Sequence, residues 1–174
     1  MRGSTITIAP IGHLRRAIAA CGLAAALVFT LVPAAAASPS VTYTISGVEY
    51  AATSTESRFA GVAVATDDFG SWLAVVNHTR LIGGSATITG GAFSYDGQVR
   101  DLSGAFTDGT LNQTGGFIGC VKETFAVNGE LALTIPAGGT GLFTATLTHY
   151  RSLIFGRCVT YAATVKGTVA FTLP

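Results

Sequence analysis

Polar and apolar residues alternate with a period of two along most of the chain after residue 38. In the run from Val41 to Ile45 every second side chain is apolar, and similar runs recur up to Leu173. This alternation is typical of half-buried β-strands, and no window shows the 3.6-residue period of an amphipathic helix. The pattern therefore predicts an all-β chain.

The alternating runs predict about nine short strands separated by turn residues. Their bounds are residues 41–50, 58–66, 71–82, 86–95, 99–107, 117–127, 130–135, 142–153 and 158–173. Asp96-Gly97, Asp108-Gly109 and Asn128-Gly129 are predicted as tight turns, because these residue types tolerate positive φ. Gly47 is predicted to bulge the first strand ahead of Val48 and Tyr50.

Short connections between successive strands imply antiparallel pairing. Only 11% of the residues are charged, so exposed strand edges would be prone to pair with other chains. Closing the sheet removes those edges. The sequence therefore favours a small antiparallel β-barrel, closed or nearly closed, with a two-sheet β-sandwich as the alternative.

Residues 1–37 are predicted to be a secretory signal peptide. Arg2, Arg15 and Arg16 supply its positive segment, residues 17–32 are almost continuously apolar, and residues 33–38 give an A-x-A cleavage pattern. Residues 38–174 then form a single domain. Two alternatives remain open, namely a lipid on Cys21 and export through the twin-arginine pair Arg15-Arg16.

Cleavage after Ala37 changes the charge balance of the chain. Removing three arginines leaves seven of the ten basic residues against nine acidic ones, so the net charge moves from +1 to −2. This weakly acidic domain has no basic run that would bind nucleic acid, and no membrane span is predicted in it. Cys120 and Cys158 remain as the possible pair, and in a secreted or cell-envelope protein we expect them to form a disulfide.

Candidate binding residues are polar side chains that continue an inward-facing apolar stripe, since burying them costs free energy unless they are satisfied. Glu123 falls among Val121, Phe125 and Val127. Two other inward-facing stripes end in a His-x-Arg pair, His149 and Arg151 in one and His78 and Arg80 in the other. In the last strand, Arg157 is in phase with Val159 and Tyr161 and is the sixth candidate. An apolar interior with a few convergent polar groups is the usual design of a small-ligand pocket.

These observations predict a secreted, disulfide-linked β-barrel without catalytic activity that binds a small apolar or amphipathic molecule or an extracellular protein. One alternative is an isomerase- or cyclase-like enzyme with His149 or Glu123 as acid or base and Arg151 as anion ligand. The other is a cell-envelope or inhibitor module that works through loops 67–70, 115–116 and 136–139.

No cofactor or metal is predicted from the sequence. It contains no H-E-x-x-H, G-x-S-x-G or phosphate-binding glycine loop. The acidic residues around Asp67 and Asp68 lack the spacing of calcium ligands, so turn formation is the better interpretation of them.

Overall fold

The computed structural model describes residues 38–116 and 120–174; the predicted signal peptide lies outside these ranges. The described residues form eight strands and no helix. The strands are β1 (Ser40–Ala52), β2 (Glu56–Val64), β3 (Phe69–His78), β4 (Ser85–Gly97), β5 (Asp101–Gly115), β6 (Lys122–Ile135), β7 (Ala137–Ile154) and β8 (Arg157–Thr172). Within these ranges there is no helix with the length and hydropathy that a membrane span needs.

Each strand pairs antiparallel with the next one along the chain, and β8 pairs with β1, so the sheet closes into a barrel. The closed barrel predicted from the sequence is confirmed, and the sandwich is excluded. The number of strands is eight rather than nine, because the chain does not turn at Asn128-Gly129, and the missing turn at Asp108-Gly109 lengthens β5. Both pairs lie inside continuous strands, β5 and β6.

Gly109 and Gly129 have no room for a side chain, because atoms of neighbouring strands occupy the space that a Cβ would need. They face each other across the β5–β6 ladder. A Cβ on Gly109 would lie 2.9 Å from Ile88 Cδ1, and one on Gly129 would lie 2.5 Å from the Phe143 ring. The two turn predictions were therefore wrong, since close packing across the barrel requires these glycines.

The alternation of faces continues through Gly47, where a bulge was predicted. Gly47 pairs in register with Gly61, and the irregularity falls after Glu49, between β1 and β2. Val48 and Tyr50 are consequently exposed on the outside of the barrel. The same continuity turns Glu49 inward.

The core fills the barrel with aromatic and aliphatic side chains from all eight strands. Tyr43, Phe125 and Ile88 are the largest fully buried residues. A ring of aromatic contacts, such as Phe106 against Phe143 at 5.4 Å between centroids, lines the interior. These side chains are the inward-facing members of the alternating runs.

The β7–β8 hairpin continues past the last pair that β7 makes with β6, Lys122–Tyr150. Phe155 at its tip is fully exposed. The disulfide predicted between Cys120 and Cys158 is confirmed, with 5.6 Å between the two Cα atoms. It ties the chain just before β6 to this hairpin.

The connections between strands alternate between the two ends of the barrel. Residues 53–55, 79–84 and 155–156 connect strands at one end, which we call the mouth. Residues 65–68 and 98–100 connect strands at the other, which we call the closed end. Polar side chains cluster inside both ends.

Candidate functional site

The barrel interior holds a cavity of about 110 Å³, which we call the lumen. Its wall is almost entirely apolar. Its aromatic lining residues include Trp72, Phe93, Phe106, Phe143 and Phe171. Ser57 and His78 border it on the mouth side, and Tyr43 and Tyr95 on the side of the closed end.

Glycines on the inner wall make room for these rings. Trp72 pairs with Gly61 on β2, and Gly61 pairs with Gly47 on β1. A Cβ on Gly47 would lie 2.7 Å from the indole, and Trp72 Nε1 donates a hydrogen bond of 3.0 Å to the Val62 carbonyl. The indole therefore lies flat across two glycines, where it forms part of the lumen wall.

Asp68 anchors the closed end. Its Oδ2 accepts a 2.9 Å hydrogen bond from the Tyr43 hydroxyl and its Oδ1 accepts a 3.0 Å bond from the Val99 amide. Burial opposes ionisation, but these hydrogen bonds outweigh it and lower the pKa of Asp68. Burial, followed by the bond to Asp68, raises the pKa of Tyr43. Asp68 is thus a buried anion in a network that fixes this end of the barrel.

A second cavity, of about 300 Å³, occupies the mouth. It shares Ser57, His78, Leu111 and Leu147 with the wall of the lumen. The two cavities therefore adjoin, and Ser57 and His78 are the polar residues at their junction. Together their volumes fall in the range of small-molecule sites.

Glu49 and His149 form an ion pair on the wall of the mouth. His149 Nε2 lies 2.9 Å from Glu49 Oε2, and the Glu49 side chain is only 6% exposed. Burial alone would raise the pKa of Glu49, but hydrogen bonds from His149 and Ser57 outweigh burial and lower it. The carboxylate is therefore charged at neutral pH.

Ser57 and His78 are also in contact. Ser57 Oγ lies 3.4 Å from His78 Nε2, and His78 Nδ1 lies 2.8 Å from the Thr79 carbonyl oxygen. Because a carbonyl only accepts, Nδ1 carries a proton. The Nε2 atom of the neutral ring then presents a lone pair to Ser57.

Glu123 is buried inside the barrel, next to His149 in the β6–β7 register. Arg151 Nη2 lies 2.5 Å from its Oε2, and Gln113 Nε2 donates a 3.2 Å hydrogen bond to its Oε1. Glu123 does not belong to the wall of either cavity. With these partners Glu123 forms a structural ion pair, and a binding role for it stays a prediction.

The other predicted binding residues divide between the mouth and the surface. His78, His149 and Arg80 line the mouth cavity, Arg80 as an exposed side chain at its rim. Arg157 was expected to face inward with Val159 and Tyr161, and this orientation is wrong. All three are exposed, because the hairpin projects past β6 and the β7–β8 register shifts after Tyr150. A binding role for the residues at the mouth stays a prediction.

Sequence reasoning missed Glu49 and Ser57. Glu49 would have been found by continuing the alternation of β1 through Gly47. Ser57 precedes the predicted start of its strand by one residue, although it has the inward parity of Phe59 and Ala63. A one-residue error at a strand end was enough to hide it.

Comparison of the chain with protein-family models, curated proteins and solved structures gives no significant match. Among the described residues, no three His, Cys, Asp or Glu side chains converge as a metal site. Function is therefore inferred from the lumen and the mouth.

Proposed function

We propose that the barrel binds a small amphipathic molecule without catalysing a reaction, holding its apolar part in the lumen and its polar end at the mouth. The observation that carries this proposal is an apolar lumen of about 110 Å³ that adjoins a polar mouth. In another protein, an engineered apolar cavity of about 150 Å³ stays dry and binds benzene. An apolar chain of a few carbons suits the lumen on this scale.

A short alkyl alcohol is the simplest probe of this proposal. Each CH₂ removed from water contributes about 0.8 kcal/mol, so the six carbons of 1-hexanol supply about 5 kcal/mol. That energy corresponds to a dissociation constant of about 0.2 mM at best. Trp72 is the single tryptophan of the chain and lines the lumen, so its fluorescence reports occupancy directly.

The test titrates 1-hexanol against the wild type and two variants. Ala74→Leu adds three carbons to a buried lumen wall, whereas Ala92→Leu makes the same change at an exposed position on the neighbouring strand. We expect saturable binding to the wild type and to Ala92→Leu, and at least tenfold weaker binding to Ala74→Leu. Circular dichroism checks that each variant folds, and Ala145→Val replaces Ala74→Leu if the latter does not. No saturable signal, or equal binding to all variants, would refute occupation of the lumen.

We also propose that the chain is exported and that residues 1–37 are removed. The Cys120–Cys158 disulfide supports this, because such bonds form and persist in oxidising compartments. Mass spectrometry of protein recovered from the culture medium tests it. A mature chain starting at Ser38 is expected, and an intact N-terminus or retention in the cytosol would contradict export.

The Ser57–His78 contact favours acyl transfer as a second candidate function. A serine hydroxyl beside the free nitrogen of an oriented imidazole is the arrangement of a nucleophile and its base. An alkyl fluorophosphonate labels a serine activated in this way. Labelling of Ser57 in the wild type that is lost in His78→Gln would establish the nucleophile, and an unlabelled, folded wild type would exclude it.

A further inference from the structure

We infer that the polar end of the ligand is a protonated primary amine, bound by the acceptor groups of Glu49, Ser57 and His78 in the mouth. This inference rests on the proposed binding function and specifies the chemical class of its ligand. These three groups come from β1, β2 and β3, and all of them line the mouth cavity.

The inner wall of the mouth, where Glu49, Ser57 and His78 lie, has more hydrogen-bond acceptors than donors. An ionised carboxylate accepts at two oxygens, and the His78 ring, whose Nδ1 donates to the Thr79 carbonyl, can accept at Nε2. Ser57 has one proton for two neighbouring acceptors, Glu49 and His78. His149 supplies one further donor to Glu49. At least one acceptor facing the cavity is therefore left for a ligand, and the three N–H groups of a primary ammonium match this surplus.

The charges of the mouth also favour a cation. The ionisable side chains that line it are Glu49, His78, Arg80 and His149, and the Glu123–Arg151 pair lies next to His149 outside its wall. Arg151 compensates Glu123, whereas Glu49 is compensated only when His149 is protonated. Arg80 is exposed at the rim, where water and salt screen its charge. The inner wall of the mouth therefore holds one buried carboxylate, Glu49, whose nearest ionisable partner is the His149 imidazole.

The same charge discriminates against the opposite ligand. A carboxylate placed near Ser57 would be close to Glu49, and two like charges in a partly buried site repel each other. An alcohol carries no charge and provides the reference for the apolar contribution. Ligands that share one alkyl chain and differ in the head group thus separate the contribution of the lumen to affinity from that of the mouth.

The experiment compares 1-hexylamine, 1-hexanol and hexanoate at pH 8 and low salt, using Trp72 fluorescence and calorimetry. Hydrogen bonds to charged groups contribute enough that we expect hexylamine to bind about ten- to hundredfold more tightly than hexanol. Hexanoate should bind more weakly than hexanol. Glu49→Gln should lower the affinity for hexylamine about ten- to hundredfold and the affinity for hexanol far less.

Glu130→Gln provides the matched control. Glu130 is an exposed carboxylate on β6, so this substitution changes the net charge as Glu49→Gln does but lies outside the barrel. It should retain the preference for the amine. If Glu49→Gln does not fold, Ser57→Ala removes one acceptor without changing the charge, and should weaken hexylamine binding several-fold more than hexanol binding.

The outcomes distinguish failure of the amine inference from failure of the proposed binding function on which it rests. Hexanol binding with no preference for the amine, or tighter binding of hexanoate, overturns the amine and leaves the barrel as a binding protein. A preference for the amine that survives both Glu49→Gln and Ser57→Ala also overturns it. Failure of all three ligands to bind refutes the proposed function itself.

Discussion

Replacing Asp68 by alanine removes the anion on which the closed end of the barrel depends. The carboxylate accepts hydrogen bonds from the Tyr43 hydroxyl at 2.9 Å and from the Val99 amide at 3.0 Å. Tyr43 is only 1% exposed, so water cannot readily replace the lost acceptor. Val99 is largely exposed, and its amide can bond to solvent instead. The cost of the substitution therefore falls mainly on Tyr43.

The expected loss follows from that single buried bond. A hydrogen bond to a charged group contributes about 1.5–3 kcal/mol, and an unsatisfied buried donor costs a comparable amount. We therefore expect Asp68→Ala to lower the free energy of unfolding by about 2–3 kcal/mol. For a domain of this size the melting temperature should fall by about 10 °C.

Urea denaturation of a double-mutant cycle measures the contribution of the Tyr43–Asp68 bond. Tyr43→Phe, Asp68→Ala and the double variant should give a coupling energy of about 1–2 kcal/mol. Asp96→Ala removes an exposed carboxylate and should change stability by less than about 0.5 kcal/mol. A coupling energy near zero would refute the assignment of the loss to this bond.

The pH dependence provides an independent check on Asp68. The pKa of this carboxyl is lowered in the folded protein, so its stabilising effect is complete above the unfolded-state value of about 3.9. It is lost as the pH falls through the folded-state pKa. The difference in stability between wild type and Asp68→Ala should therefore narrow below about pH 4. A difference that stays constant down to pH 2 would contradict an ionised Asp68.

Two further predictions concern the lumen wall and the disulfide. A methyl group on Gly61 would overlap the Ser46 carbonyl oxygen and the indole of Trp72, so Gly61→Ala should cost about 1–3 kcal/mol and shift Trp72 emission to the red. A methyl group on Gly115 would make only an ordinary contact with Thr124 at 3.5 Å, so Gly115→Ala should do neither; an unshifted spectrum in Gly61→Ala would contradict the packing described. The Cys120→Ser/Cys158→Ser double variant opens a link spanning 38 residues and should lose about 4 kcal/mol in urea denaturation. Reductant should destabilise the wild type to a similar extent and leave the double variant unaffected, whereas a loss below about 1 kcal/mol would contradict the chain-entropy estimate.

The strands and their inward faces could be predicted because alternation is a local property of the chain. Phe125, Leu147 and Ala163 lie in the core at positions that period two assigns to one face. Closure of the barrel followed from the scarcity of charge and the short connections. These features need no knowledge of which strands are neighbours.

The glycines could not be interpreted in the same way. Asp108-Gly109 has the composition of a tight turn, yet Gly109 lies within β5 opposite Gly129. Gly47 resembles the site of a bulge, yet it lies beneath the indole of Trp72, two strands away. In both cases the space of the missing side chain is taken by groups that are distant in sequence, Ile88 at Gly109 and Trp72 at Gly47. Misreading Gly47 also concealed Glu49.

Asp68 and Arg157 were misjudged for related reasons. Asp68 does lie in a turn, but its partner Tyr43 is 25 residues away, and turn composition carries no information about that contact. Arg157 has the sequence parity of the inward residues of β8, but the register shift after Tyr150 reverses that parity and β8 has no β1 partner before Thr164. Parity identifies a face, whereas only the length of the neighbouring strands decides whether that face is covered.

The seam between β1 and β8 makes the barrel depend on the last part of its own chain. Ser40 to Val48 pair with Thr164 to Thr172, so residues from opposite ends of the domain complete one ladder. Before β8 pairs with them during folding, β1 and β7 each expose an unpaired backbone edge, and few charged side chains are present to repel another chain. Such distant pairing is slow to form. Truncation of β8 would therefore leave β1 and β7 as unpaired edges, and the truncated protein would be prone to self-association.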